Sequence, residues 1–364
     1  MACFVRRCLC RFLLVLAVCL FPAVNAGASG KVEDVLRDGW AGYIVPSYAG
    51  LSDDAARLET TTRALCETPS AQTLASARAA FGSMALSWAR IEWLRVGPSM
   101  EENRLERMLF YPDRKGTGLK QVQRALAGQD EVVTDAAKLG QLSVAMQGLG
   151  AYEFLLFRKG SAALASAASN VFDCRYALAI AQNLLAMSGE LSAGWQAGTP
   201  LTKAFVMPSP ENTLYRDDVE ALNLVIGTII HGLEAVRDVR IGYFLRKDGR
   251  DRPRSALYRR SGLTLASIAT NLEGCLDLFE RSGIERVLPD EARYIGDQVR
   301  LEFQLALRTA REFNAGPEAL VGDAKSRKRL KYLEYAISNI IARLNDEFAP
   351  AAGLAAGFSF GDGD

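Results

Sequence analysis

Histidine is almost missing from this chain of 364 residues, in which His231 is the single imidazole. Every mechanism that needs two imidazoles is thereby excluded, including H-E-x-x-H zinc proteolysis and three-histidine zinc sites. A surplus of positive charge is lacking too. Against 43 Lys and Arg stand 42 Asp and Glu, a net charge of +1, so the broad basic field of a dedicated nucleic-acid binder is absent. No Walker A loop, G-x-G-x-x-G after a strand or C-x-x-C pair occurs. NTPase, dinucleotide and thiol-redox readings fall with them. Alternating strand patterns are scarce, and no stretch past the leader reads as an uninterrupted apolar run of about 18 residues or more, the length of a membrane span. What is present is 49% hydrophobic and 23% charged residues, enough apolar material for one large folded domain or two ordinary ones.

The amino terminus reads as an export signal. Arg6, Arg7 and Arg11 precede the apolar residues 12–21, and Val24-Asn25-Ala26 offers small residues for cleavage after Ala26. An alternative processing route is lipidation of Cys19, since Leu16-Ala17-Val18-Cys19 resembles a lipobox. The mature protein is therefore expected in the periplasm or anchored to the envelope, touching membrane only through such a lipid. Loss of the leader removes Cys3, Cys8, Cys10 and Cys19, and leaves Cys66, Cys174 and Cys275 in an oxidising compartment. Any one of three bridges among them is open, as is the alternative of three buried thiols.

Apolar residues at helical spacing mark three stripes: Phe81, Met84, Trp88 and Ile91; Leu142, Ala145, Leu149, Tyr152 and Leu156; and Leu333, Ile337, Ile340, Ile341 and Leu344. With Ala, Leu, Arg and Glu dominating such stretches, the expected fold is all-α. Pro200, Pro208 and Pro210 punctuate the middle of the mature chain, which divides it into helical halves 31–198 and 199–364. No exact repeat of fixed period is visible, so a solenoid is not indicated.

Two clusters carry most of the chemistry. Glu92 and Arg95, spaced three apart before Gly97-Pro98, are expected on one face near a helix end. Their plain alternative is an exposed ion pair. In the second cluster, Gly148 and Gly150 read as helix-interior glycines, which cost about 1 kcal/mol each against Ala, so a packed helix or a ligand approaches that backbone. Glu153 follows among Phe154, Leu155, Leu156 and Phe157. A carboxylate embedded there must be paired, hydrogen-bonded, protonated or metal-bound. His231 and Glu234 read as an H-x-x-E on one helix face, either a relocated metal site or a hydrogen-bonded helix histidine. In residues 246–260, Arg246, Lys247, Arg250, Arg252, Arg254, Arg259 and Arg260 outnumber Asp248 and Asp251. Such a segment suits an acidic envelope partner, a phosphate or haem propionates, or is simply a solvated loop.

These clusters, with Phe110-Tyr111-Pro112-Asp113-Arg114-Lys115-Gly116 between them and Gly357-Phe358-Ser359-Phe360-Gly361-Asp362-Gly363-Asp364 at the end, resemble the imelysin family, classed with the M75 peptidases. Its predicted-lipoprotein branch, with a G-x-G-A-x-E-x-L-L segment and a terminal G-F-x-x-x-D-G-D, is the nearer likeness, and it covers nearly all of the mature chain. The resemblance implies two related helical-bundle domains with a cleft between them, a periplasmic location and a connection with iron acquisition. In the wider family a G-x-H-x-x-E motif is proposed to bind metal, assisted by an E-A-F-R-F-G-P-like segment and an Asp after a W-P-like pair. By position Gly148 and Glu153 match that motif, Glu92 and Arg95 the second segment, and Asp113 the third, while the motif's His falls on Gly150. The implied ligand-binding set is thus Glu92, Arg95, Asp113, Gly148, Gly150 and Glu153. Within it Glu92, Asp113 and Glu153 are the carboxylates for a hard cation such as Ca²⁺ or Mg²⁺. The resemblance also implies a Cys66–Cys174 bridge.

With the imidazole gone, no residue is assigned a catalytic role, because metal-activated water is what peptide hydrolysis in this setting needs. The expected function is an exported, non-catalytic binding protein linked to iron or metal uptake, its ligand a metal ion or an iron-containing molecule. The alternatives are an M75-type metallopeptidase with an altered metal site, and a scaffold whose acids merely pair with arginines.

Overall fold

The computed structural model describes residues 26–166 and 171–354. The leader before Ala26, Cys19 and the terminal 357–364 motif lie outside the described residues. In chain order the helices are α1 (Ala26–Gly39), α2 (Val45–Glu67), α3 (Ala71–Ile91), α4 (Arg104–Met108), α5 (Thr117–Gly128), α6 (Ala136–Leu139), α7 (Leu149–Phe157) and α8 (Val171–Gly194). There follow α9 (Pro200–Val206), α10 (Asp218–Glu234), α11 (Thr264–Ser282), α12 (Tyr294–Arg311), α13 (Pro317–Gly322), α14 (Ala324–Ala342) and α15 (Ala349–Ala351). No strand occurs among the described residues, so the fold is all-α as expected.

Local sequence accounts for the main boundaries. Ser70 and Thr73 form a reciprocal capping box at the start of α3, satisfying two amide donors that the helix cannot. The stripe Phe81, Met84, Trp88 and Ile91 is buried along it. Asp323 caps α14, whose Leu333, Ile337, Ile340 and Ile341 are buried, and Leu344 continues the stripe in a π-helical extension, Arg343–Phe348. α10 likewise runs on into a π-helical stretch, Ala235–Ile241. Together these make Asp218–Ile241, long and apolar enough by length and composition to cross a membrane, with a mean hydropathy of 1.4 over an 18-residue window. The stretch is not an uninterrupted apolar run, since Glu220, Asn223, His231 and Glu234 break it. Its window is 56% buried, because α10 packs on α11, α14 and α1 as a core helix.

α2 packs against α3 and α8, and α7 against α8 and α3. A second group is formed by α10, α11, α12 and α14, joined to the first where α11 lies on α3. α1, although first in the chain, packs on α10 and α11. One buried apolar cluster runs through both groups. The Cys66–Cys174 disulfide fastens α2 to α8 with the two Cα atoms 5.5 Å apart, the pairing that the family resemblance implied. Cys275 is a buried free thiol in α11, and burial pushes its pKa well above the ordinary value.

The second stripe is not one helix. Leu142 precedes a 3₁₀ turn at Val144–Met146, and α7 starts only at Leu149, so Gly148 and Gly150 stand at a helix start rather than in an interior.

Candidate functional site

The first site carboxylate is placed by the way α3 ends. The helix stops at Ile91 rather than running to Gly97-Pro98, so Glu92 and Arg95 do not share a helix face. Its last carbonyls are taken by side chains from other elements. Asn271 Nδ2 donates to the Ala89 carbonyl (2.5 Å), while Trp93 Nε1 (2.9 Å) and Tyr43 Oη (2.5 Å) both donate to the Arg90 carbonyl. A helix terminus supplied with donors in this way needs no further turn. Gly274 makes the arrangement possible, because a Cβ there would lie 2.0 Å from the Arg90 oxygen.

Glu92 is left facing the second helix group. Its Oε2 pairs with Arg240 Nη2 at 2.5 Å and its Oε1 accepts from Asn271 Nδ2 at 2.8 Å. Arg240 comes from the π-helical stretch after α10, and its guanidinium lies over the Tyr111 ring, 5.0 Å from the centroid. Both partners are close to fully buried, with side-chain exposures of 12% for Arg240 and 10% for Glu92. Glu92 and Arg95 line a cavity of about 230 Å³ together with Trp88, Tyr111, Glu234 and Asn271. His231, on the same wall, is a hydrogen-bonded helix histidine as expected, its Nδ1 meeting Glu234 Oε2 at 3.1 Å.

The remaining set lines a second cavity of about 370 Å³. Asp113 turns both oxygens to backbone amides, Oδ1 accepting from Thr117 N (2.9 Å) and Oδ2 from Leu119 N (3.0 Å), and so anchors the start of α5. The two glycines have different reasons to be glycine. At Gly148 a Cβ would lie 2.4 Å from the Arg107 carbonyl oxygen and 2.6 Å from that of Met108, so close approach of α4 demands it. At Gly150, an exposed position, nothing lies within 4 Å of the corresponding point. Glu153 is buried on α7, its Oε1 accepting from both the amide and the hydroxyl of Ser261 at 2.9 Å. Burial pushes its carboxyl above the usual 4.5, and the Ser261 hydrogen bonds and the nearby Arg260 charge oppose that rise.

Tyr258 lines the second cavity. It is fully buried, adopts a left-handed backbone (φ +55), and its phenol is pushed well above the ordinary range by burial and by Glu92, with Arg240 acting the other way and Glu153 adding to the rise. Glu92 and Glu153 thus act on one hydroxyl, while Leu109 and Tyr111 line both cavities. Tyr258 Oη, Arg240 Nη1 and Asn271 Oδ1 are buried and have no hydrogen-bond partner among the described residues. Buried polar atoms of this kind are normally completed by water or a bound group.

The expected set is therefore gathered as two neighbouring groups, Glu92 with Arg95 and Asp113 with Gly148, Gly150 and Glu153. The metal assignment to Glu92, Asp113 and Glu153 does not fit this geometry. Each carboxylate has its own protein donors, and no group of three or more His, Cys, Asp or Glu side chains suited to a metal ion occurs among the described residues. The sequence reading missed Arg240, Asn271, Tyr258 and Ser261. Asn271 had a signal, a polar residue between Ile268, Leu272 and Cys275 on the buried face of α11. Tyr258 and Ser261 lie in and beside a segment read only for its charge.

Residues 44–344 match the family model of imelysin, peptidase M75. The chain belongs to the imelysin family. The same fold appears in an imelysin-like protein from Psychrobacter arcticum 273-4, with 17% identity, a TM-score of 0.71, and 91% of this chain and 98% of that one covered. A putative iron-regulated protein A precursor from Parabacteroides distasonis ATCC 8503 also has it, at 12% identity and a TM-score of 0.71, over 88% and 95% of the two chains. No functionally curated protein matches. At these identities the structural likeness to both proteins concerns the imelysin fold.

Proposed function

We propose that this imelysin-family protein is an exported, non-catalytic binding protein of the cell envelope that serves iron or metal uptake, with residues 31–198 and 199–364 as its two halves. The observation that carries this reading is the state of the three carboxylates. Glu92, Asp113 and Glu153 are each satisfied by protein donors, and Gly150 stands where the family motif has histidine. Peptide hydrolysis by a metal needs a ligand set that keeps an open position for water, and these residues do not supply one. Two adjoining cavities with buried, unpartnered polar atoms on the residues that line them are instead suited to holding a ligand. The iron connection is supported by the relative named as iron-regulated, whose designation as a precursor, with the disulfide here, also supports export.

Protein purified from its own periplasm should carry iron or a ligand detectable by elemental analysis and mass spectrometry, and should not cleave peptides. Peptide hydrolysis that chelator abolishes and that Glu153→Ala abolishes again would replace this reading with an altered metallopeptidase. Calorimetry showing no binding of Fe³⁺, Zn²⁺, Ca²⁺, haem or small anions would reduce the protein to a scaffold.

A further inference from the structure

The wall of the second cavity carries a charge pattern that the family motif does not account for. Arg114 comes from the connection between α4 and α5, and Arg252, Arg254 and Arg260 come from the segment before α11. Other parts of that basic segment are already engaged. Arg250 pairs with Asp248 at 3.0 Å, Arg259 with Glu318 at 3.5 Å, and the Arg246 amide is held by Asp251, which is itself locked to Arg327 at 2.6 Å. Arg114, Arg252 and Arg254 are exposed and form no ion pair among the described residues.

The two acids on the same wall do not neutralise them. Asp113 directs its oxygens to the Thr117 and Leu119 amides, and Glu153 lies buried against Ser261. A cavity wall with four guanidinium groups and two internally satisfied carboxyls is net positive in a protein whose total charge is only +1. Guanidinium groups are the forked, permanently charged donors that match carboxylate geometry. Beside them Phe154 and Tyr243 give the same space an apolar side, and Gly150 leaves its floor bare.

We propose that this cavity binds a compact organic anion with two or more carboxylates, held by Arg114, Arg252 and Arg254, with its less polar part against Phe154 and Tyr243. The inference rests on the binding-protein reading and gives that ligand its chemistry. The anion arrives either as the free acid or as the shell of a ferric complex, and both present the same carboxylates to the same arginines. A protein partner docking on the basic segment would instead use Arg250, the most exposed of its ion-paired arginines, as much as those in the cavity.

Isothermal titration calorimetry on the mature chain, with citrate, ferric citrate and inorganic phosphate as probes, tests this. Citrate or ferric citrate should bind, the stronger of the two identifying free acid or complex. Arg252→Ala/Arg254→Ala should weaken that binding at least tenfold and Arg250→Ala less than twofold. Gly150→Phe, which puts a ring into open space, should block it while thermal unfolding stays that of the parent. The inference is overturned if no probe gives heat, if phosphate binds more tightly than both citrate forms, or if Arg250→Ala costs as much as the cavity pair. Haem or Fe³⁺ binding untouched by Arg252→Ala/Arg254→Ala would overturn the inference alone and leave the binding-protein reading standing. Chelator-sensitive peptide hydrolysis would overturn that reading whatever citrate does.

Discussion

Glu92 and Glu153 are the same residue type, each within electrostatic reach of the Tyr258 hydroxyl, yet their surroundings give them opposite roles. Glu92 meets a guanidinium at 2.5 Å and an amide at 2.8 Å, so that the end of α3, the π-helical stretch after α10 and the middle of α11 share one ion pair. Glu153 meets neutral donors, with Arg260 nearby drawn over the Phe154 ring at 5.1 Å. One carboxylate fastens the two helix groups, and the other forms the wall of a cavity whose charge comes from arginine. Paired acids in a cleft are therefore no guide to a metal until their donors are counted.

The largest test of that contrast is removal of the cation. Breaking a buried ion pair from one side leaves an uncompensated charge, at a cost of about 3 to 5 kcal/mol. Arg240→Met should lower stability in urea titrations by about that much, with the lost contact to Tyr111 included. Glu92→Gln added to it should restore a large part, since a neutral amide can accept from Asn271 without a counter-charge. A loss below about 1 kcal/mol would mean the pair behaves as an exposed one and does not join the groups.

The disulfide separates the regions in a second way, because it ties α2 to α8 and leaves α10 and α14 untouched. It closes a sequence separation of 108 residues, and loss of a native bridge of this kind typically costs about 2 to 5 kcal/mol. Cys66→Ser/Cys174→Ser should lower unfolding free energy by about 3 kcal/mol on that scale. Hydrogen exchange should rise first in α7 and α8, around Glu153, and later in α10. Uniform loss of protection would show that the α3–α11 contact makes the two groups one cooperative unit.

Sequence reasoning reached the helices because burial repeats at helical spacing along α3 and α14, and it reached Glu153 because a carboxylate among four apolar neighbours has few options. It failed where distant side chains replace a local signal. The end of α3 is set by Asn271, Trp93 and Tyr43, not by Gly97-Pro98. Arg240 is unremarkable in the sequence and becomes the partner of Glu92 only because the π-helical stretch carries it there. The imelysin resemblance supplied Asp113 as a ligand, and the hydrogen bonds give it instead to α5.

A smaller effect distinguishes Glu153 by its titration. Its carboxyl is raised above the usual 4.5 by burial, so between that value and the folded-state value the native protein holds more protons than the unfolded chain. Stability then falls as pH rises through this window, by up to about 1.4 kcal/mol per unit, and is fully retained only below it. Glu153→Gln keeps an acceptor for Ser261 and cannot ionise. Denaturation curves from pH 4 to pH 7 should therefore show the variant gaining on the parent as the pH rises. Parallel curves would place Glu153 in the same class as a fully compensated carboxylate.

The smallest effect is again a gain in stability and concerns the position where the family has histidine. Gly150 lies in the first turn of α7 with open space where a Cβ would go, whereas a Cβ at Gly148 would lie under 3 Å from two carbonyl oxygens. If packing fixed both glycines, alanine would be harmful at either position. The geometry instead predicts that Gly150→Ala stabilises by about 0.5 kcal/mol, through lost freedom in the unfolded chain and better helix propensity. Thermal unfolding can resolve that gain, and a loss of stability there would mean that something other than this cavity approaches the α7 backbone. A stable Gly150→Ala protein with weakened citrate binding would show that the glycine is kept for the room it leaves to a ligand.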